Sequence, residues 1–172
     1  MTAKHSSGSD SLSTALGAVL EGLTFYEFAH LIAADTRVKV TFEDLQRRKT
    51  SQLKKLEPLV RPTAKDAAPQ PGIFPLDSVS KAECYVCGHV VETKALPSQC
   101  PKCGTARYTF EKEIALTKAW EVAGDAARKS AVLFRDVAAQ TSGQAKSVLE
   151  ELAREEDDLA KEAGHEIADL RR

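Results

Sequence analysis

At 172 residues, with a net charge of −1 and a pI of about 6.4, the chain has room for one core of moderate size plus a small module. That charge balance gives no electrostatic case for nucleic acid, and no apolar run approaches the roughly 20 residues needed to span a bilayer. Residues 1–13 lack the hydrophobic stretch of a signal peptide, so a cytoplasmic protein is expected, with neither membrane nor nucleic acid among its partners.

Residues 1–11 read as a disordered leader containing serine and glycine. A helix is predicted over 12–34, with Leu12, Leu16, Val19, Leu23, Tyr26 and His30 on one stripe at steps of three and four. A second helix is predicted over 42–60. Thr41 is its N-cap, Asp44 follows three residues later, and Phe42, Leu45, Leu53 and Leu56 form its buried stripe. Pro62 ends it, and Pro62, Pro69, Pro71 and Pro75 mark 61–79 as an extended linker. A cysteine module follows over 80–112. Its β-type residues (Val90, Val91, Tyr108, Phe110) read as a small ribbon. Two more helices are predicted, over 113–139 and 142–170, with Ser142 as a cap and Gly143 in the turn before the last helix. Leu149, Leu152, Glu156, Leu159, Ala163 and Ile167 line the buried face of that helix, and Trp120 is expected in the core. Neither helical pair has a full core alone, so segments 12–60 and 113–172 are expected to pair as a mostly α four-helix bundle with the cysteine module inserted between them.

The module holds every cysteine of the chain, as Cys84-Tyr-Val-Cys87-Gly88 and Cys100-Pro-Lys-Cys103-Gly104. Two such pairs about a dozen residues apart form a tetrathiolate metal site. Each pair makes a tight knuckle, and Gly88 and Gly104 let the backbone turn so that its amides face the sulfurs. Four thiolates in a tetrahedron suit one zinc or one iron ion. The competing pattern, two disulfides, conflicts with a reducing compartment.

The segments Phe25-Tyr26-x-x-Ala29, Val38-Lys39, Phe42-x-x-Leu45 and Leu53 resemble one half of the ferritin-like bundle of rubrerythrins. The spacing from the aromatic pair to Phe42 matches that family. Leu133-Phe134-x-x-Val137-Ala138 and Leu149-x-x-Leu152-Ala153-x-x-Glu156 resemble the other half. The cysteine module, with Pro97 before the second pair and Phe110 after it, resembles the rubredoxin-like domain of the same proteins. The resemblance spans about residues 14–170, with one difference of order: here the module interrupts the bundle between its second and third helices.

Rubrerythrins carry a di-iron site within the bundle, held by a Glu, a Glu-x-x-His, a Glu and a second Glu-x-x-His on successive helices. Carried over by the resemblance, those positions are Val19, then Lys49 and Gln52, then Ala127 or Arg128, then Glu156 and Leu159. One ligand of six survives, Glu156, and Lys49 adds a positive charge, so no di-iron centre is expected. Lys49 and Glu156 occupy facing positions and are expected to form an ion pair in the bundle interior. Glu27-x-x-His30 and Glu162-x-x-His165 have ligand spacing, but His30 reads as a half-buried histidine and His165 as a surface residue. The acidic run Glu150, Glu151, Glu155, Glu156, Asp157 and Asp158 reads mainly as a solvated helix face.

The resemblance implies one-electron transfer or redox partnering through iron held by Cys84, Cys87, Cys100 and Cys103. Tyr85, Val86, His89 and Val90 would partly shield the metal. It also implies a homodimer, and a redox partner protein in place of the missing internal electron acceptor. The cysteine pattern alone admits two metals, and with zinc the chain reads as a non-catalytic scaffold. A third reading, a peroxidase or ferroxidase, requires a bundle site rebuilt from His30 and Glu156. The balance leans away from an enzyme.

Overall fold

A computed structural model describes residues 6–60, 68–92, 95–110 and 114–172. The described residues are mostly helical, with one small sheet among them. Helices α1 (Ser6–Ile32) and α2 (Thr36–Leu56) form one hairpin, closed by a short 3-10 turn, Glu57–Leu59. A one-turn helix α3 (Leu76–Val79) leads into strands β1 (Lys81–Glu83) and β2 (Val90–Glu92), which pair antiparallel with Ala82 opposite Val91. Helices α4 (Leu116–Ala139) and α5 (Gly143–Leu170) form the second hairpin. The hairpins meet through α4 on α1 and α2, and through α2 on α5.

The boundaries correct several expectations. Helix α1 begins at Ser6, inside the stretch read as a leader. Extending an existing helix fixes one residue per hydrogen bond, so serine and glycine do not stop it there. Helix α2 begins at Thr36, not Phe42. Asp35 caps it, its carboxylate accepting from the Arg37 amide at 2.8 Å, while the hydroxyl of Thr41 bonds back to the Arg37 carbonyl at 2.9 Å. Ser142 occupies the N-cap position of α5, but its side chain makes no capping bond. Tyr108 and Phe110 lie in a 3-10 turn, Arg107–Phe110, and not in a ribbon strand. Residues 1–5 of the leader, Pro62 with the rest of 61–67, and the predicted helix start at Glu113 lie outside the described residues.

The linker departs furthest from its predicted form. Residues 69–74 lie along α1 as part of its packing. Glycines at 17 and 22 make the approach feasible: a Cβ on Gly17 would stand 1.8 Å from the Pro69 carbonyl oxygen, and one on Gly22 would stand 2.9 Å from the Phe74 ring. The buried carboxylate of Glu21 accepts from the amides of Gly72 at 3.1 Å and Phe74 at 2.8 Å. Phe74 is buried, with its ring centroid 5.5 Å from that of Phe25 and 5.4 Å from that of Tyr26. Residues 76–79, expected to be extended, form α3.

This packing also accounts for the apolarity of α1. Contrary to the sequence reading, its Ser11–Ile32 stretch contains a window that is, by length and composition, apolar enough to cross a bilayer. Within the molecule 61 % of that window is buried, because α2, α4 and the 69–74 strap cover α1 on several sides. On α2 and α5 the stripes are narrower. Phe42, Leu45 and Leu56 are buried on α2; Leu149, Leu152, Leu159 and Ala163 are buried on α5.

Candidate metal centre and the polar bundle interior

The two knuckles repeat one backbone pattern. Gly88 donates to the Cys84 carbonyl at 2.9 Å, and Gly104 to the Cys100 carbonyl at 2.8 Å. The Cys84 amide donates to the His89 carbonyl at 2.9 Å, and the Cys100 amide to the Thr105 carbonyl at 2.7 Å. Both glycines have positive φ, +69° and +74°, a region unfavourable to side chains. His89 and Thr105 are therefore equivalent positions. Their amides face the sulfurs of Cys87 and Cys103 respectively. The Tyr85 amide donates to the Thr109 carbonyl at 3.0 Å, tying the first knuckle to the Arg107–Phe110 turn.

All four sulfurs lie within 4.8 Å of one another, and none forms a disulfide. Cys84 Sγ and Cys103 Sγ are 3.8 Å apart, and Cys87 Sγ and Cys100 Sγ 3.7 Å. A tetrahedron with metal–sulfur bonds of about 2.3 Å has edges of about 3.8 Å, so the donor set fits a single thiophilic ion. The set leaves no open coordination position, which suits a structural or electron-transfer metal and not one that binds substrate.

Two hydroxyls reach this cluster. Thr105 Oγ1 lies 3.1 Å from Cys103 Sγ and 3.5 Å from Cys84 Sγ; Thr109 Oγ1 lies 3.7 Å from Cys84 Sγ. The Thr105 hydroxyl is the largest influence on the Cys84 thiol, which is lowered to about 5, with burial opposing and the Cys87 and Val86 amides assisting. Cys103 is lowered as well, first by the Thr105 hydroxyl and then by the Thr105 amide. At Cys87 the His89 amide draws the thiol down, but burial and the other three sulfurs push it up to about 12. The expected shielding is weaker than the sequence implied: Tyr85 and Val86, in the knuckle turn, are 67 % and 62 % exposed, and Val90, at the start of β2, is 52 % exposed.

In the bundle interior, Lys49 Nζ donates to Glu156 Oε1 at 2.6 Å and to Gln52 Oε1 at 3.2 Å, while Gln52 Nε2 donates to the same Glu156 oxygen at 2.5 Å. Both charged side chains are about 1–2 % exposed. The ammonium also sits 5.6 Å from the centroid of the Phe74 ring, so the strap closes over the cluster. Glu156 Oε2 and the buried hydroxyl of Tyr26 have no hydrogen-bond partner among the described residues. A cavity of about 320 Å³ lies between α2 and α5, lined in part by Lys49, Gln52 and Glu156 and by the exposed Ser51 and Asp158.

Of the remaining positions carried over from the resemblance, Val19, Ala127 and Leu159 are apolar and buried, while the alternative Arg128 is exposed and pairs with Asp125. His30 is half-buried, with Nδ1 3.0 Å from the Lys39 carbonyl oxygen, and so is not brought to Glu156 as a rebuilt site would need. His165 and Glu27 are exposed, and Glu162 pairs with Arg48 at 2.7 Å. The acidic run is not wholly solvated. Glu151 and Glu155 grip Lys55 at 2.7 and 2.5 Å, Asp157 pairs with Arg135, and Glu156 is internal. The sequence reading missed Glu21 and Thr105. The repeat of Cys-Gly-His89 by Cys-Gly-Thr105 was a legible signal for the second, whereas nothing local marks Glu21 as the clamp of residues 51 and 53 positions away.

Residues 83–111 match the family model described as the rubredoxin-like domain of rubrerythrin, a span that contains all four cysteines. No curated protein and no solved structure matches the chain.

Proposed function

We propose that this protein transfers single electrons through one iron ion held by Cys84, Cys87, Cys100 and Cys103, within a diverged ferritin-like four-helix bundle that has lost its di-iron centre. The observation that carries the reading is the closed set of four sulfurs at tetrahedral spacing, inside the segment that matches a rubredoxin-like domain. Such a site exchanges electrons without binding substrate, and Cys103, itself exposed, brings a ligand sulfur to the surface where a partner protein can approach. The bundle reading is supported by the helix order and by the meeting of Lys49, Gln52 and Glu156, positions to which the resemblance assigns metal ligands. An ammonium bonded to the surviving carboxylate takes the electrostatic place of a cation. The electron acceptor is then external, and a cytoplasmic homodimer with a separate redox partner completes the reading.

A second reading, a scaffold with structural zinc, is favoured by the exposure of Tyr85 and Val86 between the first two ligands, which presents an apolar surface beside the site. Elemental analysis of the full chain, purified without metal-chelating resin, separates the two. One iron per chain with reversible sulfur-to-iron absorption supports electron transfer. One zinc and no iron supports the scaffold. Close to three metals per chain overturns the account of the bundle.

A further inference from the structure

Each threonine hydroxyl near the sulfurs has one proton to give. Thr109 Oγ1 donates its proton to the Ala106 carbonyl at 2.8 Å, so toward Cys84 and toward Thr105 it can only accept. Thr105 Oγ1 lies 3.1 Å from Cys103 Sγ, 3.5 Å from Cys84 Sγ and 3.3 Å from Thr109 Oγ1. Once a metal is bound, the sulfurs are thiolates, and a charged acceptor attracts the proton more strongly than a neutral hydroxyl. The equivalent position on the other knuckle is His89, so at this position only the second knuckle supplies a hydroxyl, and it reaches a sulfur of each knuckle.

We infer that Thr105 tunes the metal centre: its hydroxyl directs its one proton between two thiolates, chiefly to the nearer Cys103 and more weakly to Cys84, and stabilises the more negative, reduced form of the site. Adding one electron converts Fe(III) to Fe(II) and makes the tetrathiolate complex more negative by one charge. A donor aimed at two of the sulfurs therefore favours the ferrous state and raises the reduction potential. It also withdraws electron density from those two sulfurs and leaves Cys87 and Cys100 as the electron-rich pair. The redox consequence rests on the iron reading; the hydrogen bond to sulfur does not.

The test uses the full chain loaded with cobalt(II), which reports sulfur donation through its charge-transfer absorption whichever metal is physiological. Thr105→Val and Thr105→Ala are expected to move that band to longer wavelength, because the sulfurs become better donors. Thr105→Ser, which keeps the hydroxyl, is expected to restore the wild-type band, and Thr109→Val to leave it nearly unmoved. With iron bound, a mediated redox titration is expected to give a lower potential for Thr105→Val and an unchanged one for Thr109→Val. A cobalt band indifferent to Thr105, an equal shift from Thr109→Val, or loss of cobalt binding in both the Val and Ala variants would overturn the inference. If the cobalt band moves as stated but the iron form has no reversible couple, the electron-transfer reading fails and the role of Thr105 stands.

Discussion

Lys49 and Glu156 each lose their hydration on folding, and attraction between such a pair roughly offsets that loss. The pair therefore contributes little net stability, while removing one partner leaves a buried charge alone. Lys49→Met is expected to cost about 3–5 kcal/mol in equilibrium urea unfolding. Adding Glu156→Gln, which removes the second charge and keeps an amide beside Gln52, should recover at least half of the loss. If the single variant proves as stable as the double, the buried pair is not what holds this interior. Tyr26 illustrates the opposite economy. Its hydroxyl is buried without a partner, and its ionisation is pushed far above the ordinary tyrosine range, first by burial and then by the charge of Glu156. Tyr26→Phe should stabilise the fold by about 1 kcal/mol. The folded chain keeps a proton that the unfolded chain loses above about pH 10, so this residue makes stability fall as pH rises past that value. The phenylalanine variant should lack that share of the alkaline slope when stability is measured at pH 9 and pH 11.

Helix α1 and the strap over residues 69–74 form one packed element even though the chain between them runs through the whole of α2. Proline content identifies an extended segment but cannot indicate what it lies against. The pairing depends on Gly17, Gly22, Glu21 and Phe74 coming together from distant parts of the sequence. Gly17→Ala places a methyl group within 1.8 Å of the Pro69 carbonyl oxygen, a backbone atom that moves only with the strap. The expected outcome is a loss of about 1–3 kcal/mol together with faster hydrogen exchange at the Gly72 and Phe74 amides. Unchanged exchange at those two amides would show that the strap tolerates the displacement. The start of α2 was missed for a comparable reason. Val38, Val40 and Thr41 are β-branched and weaken the helical signal, while the Asp35 cap and the burial of Val38 outweigh that preference.

At the scale of the whole molecule, the hairpins and the cysteine module stand on different supports. The hairpins share a core of leucine, alanine and aromatic side chains, whereas the module adds only Ala82, Leu96, Phe110 and two cysteines to that core, has two strands of three residues, and is expected to depend on its four ligands. Stripping the metal with a chelator should leave most of the far-ultraviolet helical signal, while amide resonances of the two knuckles collapse toward unfolded positions. Collapse of the helices at the same chelator concentration would mean that the metal supports both parts. The amino-acid sequence by itself determined the ligand set, because knuckle geometry is local: a cysteine, its partner three residues on and a glycine suffice to shape each turn. It also determined most of the buried faces of α2 and α5 through periodic Phe42, Leu45, Leu56, Leu149, Leu152, Glu156, Leu159 and Ala163, whereas Leu53 and Ile167 are only half-buried and the interior places of Lys49 and Gln52 came from the resemblance and not from periodicity. Only the tertiary structure decided that Lys49 and Gln52 share one oxygen of Glu156, that Phe74 covers them, and that the apolar length of α1 is spent against its own chain. Those contacts join segments far apart in the chain, Phe74 to Lys49 across 25 positions and Gln52 to Glu156 across 104, and burial and hydrogen bonding at such separations leave no periodic trace in either segment alone.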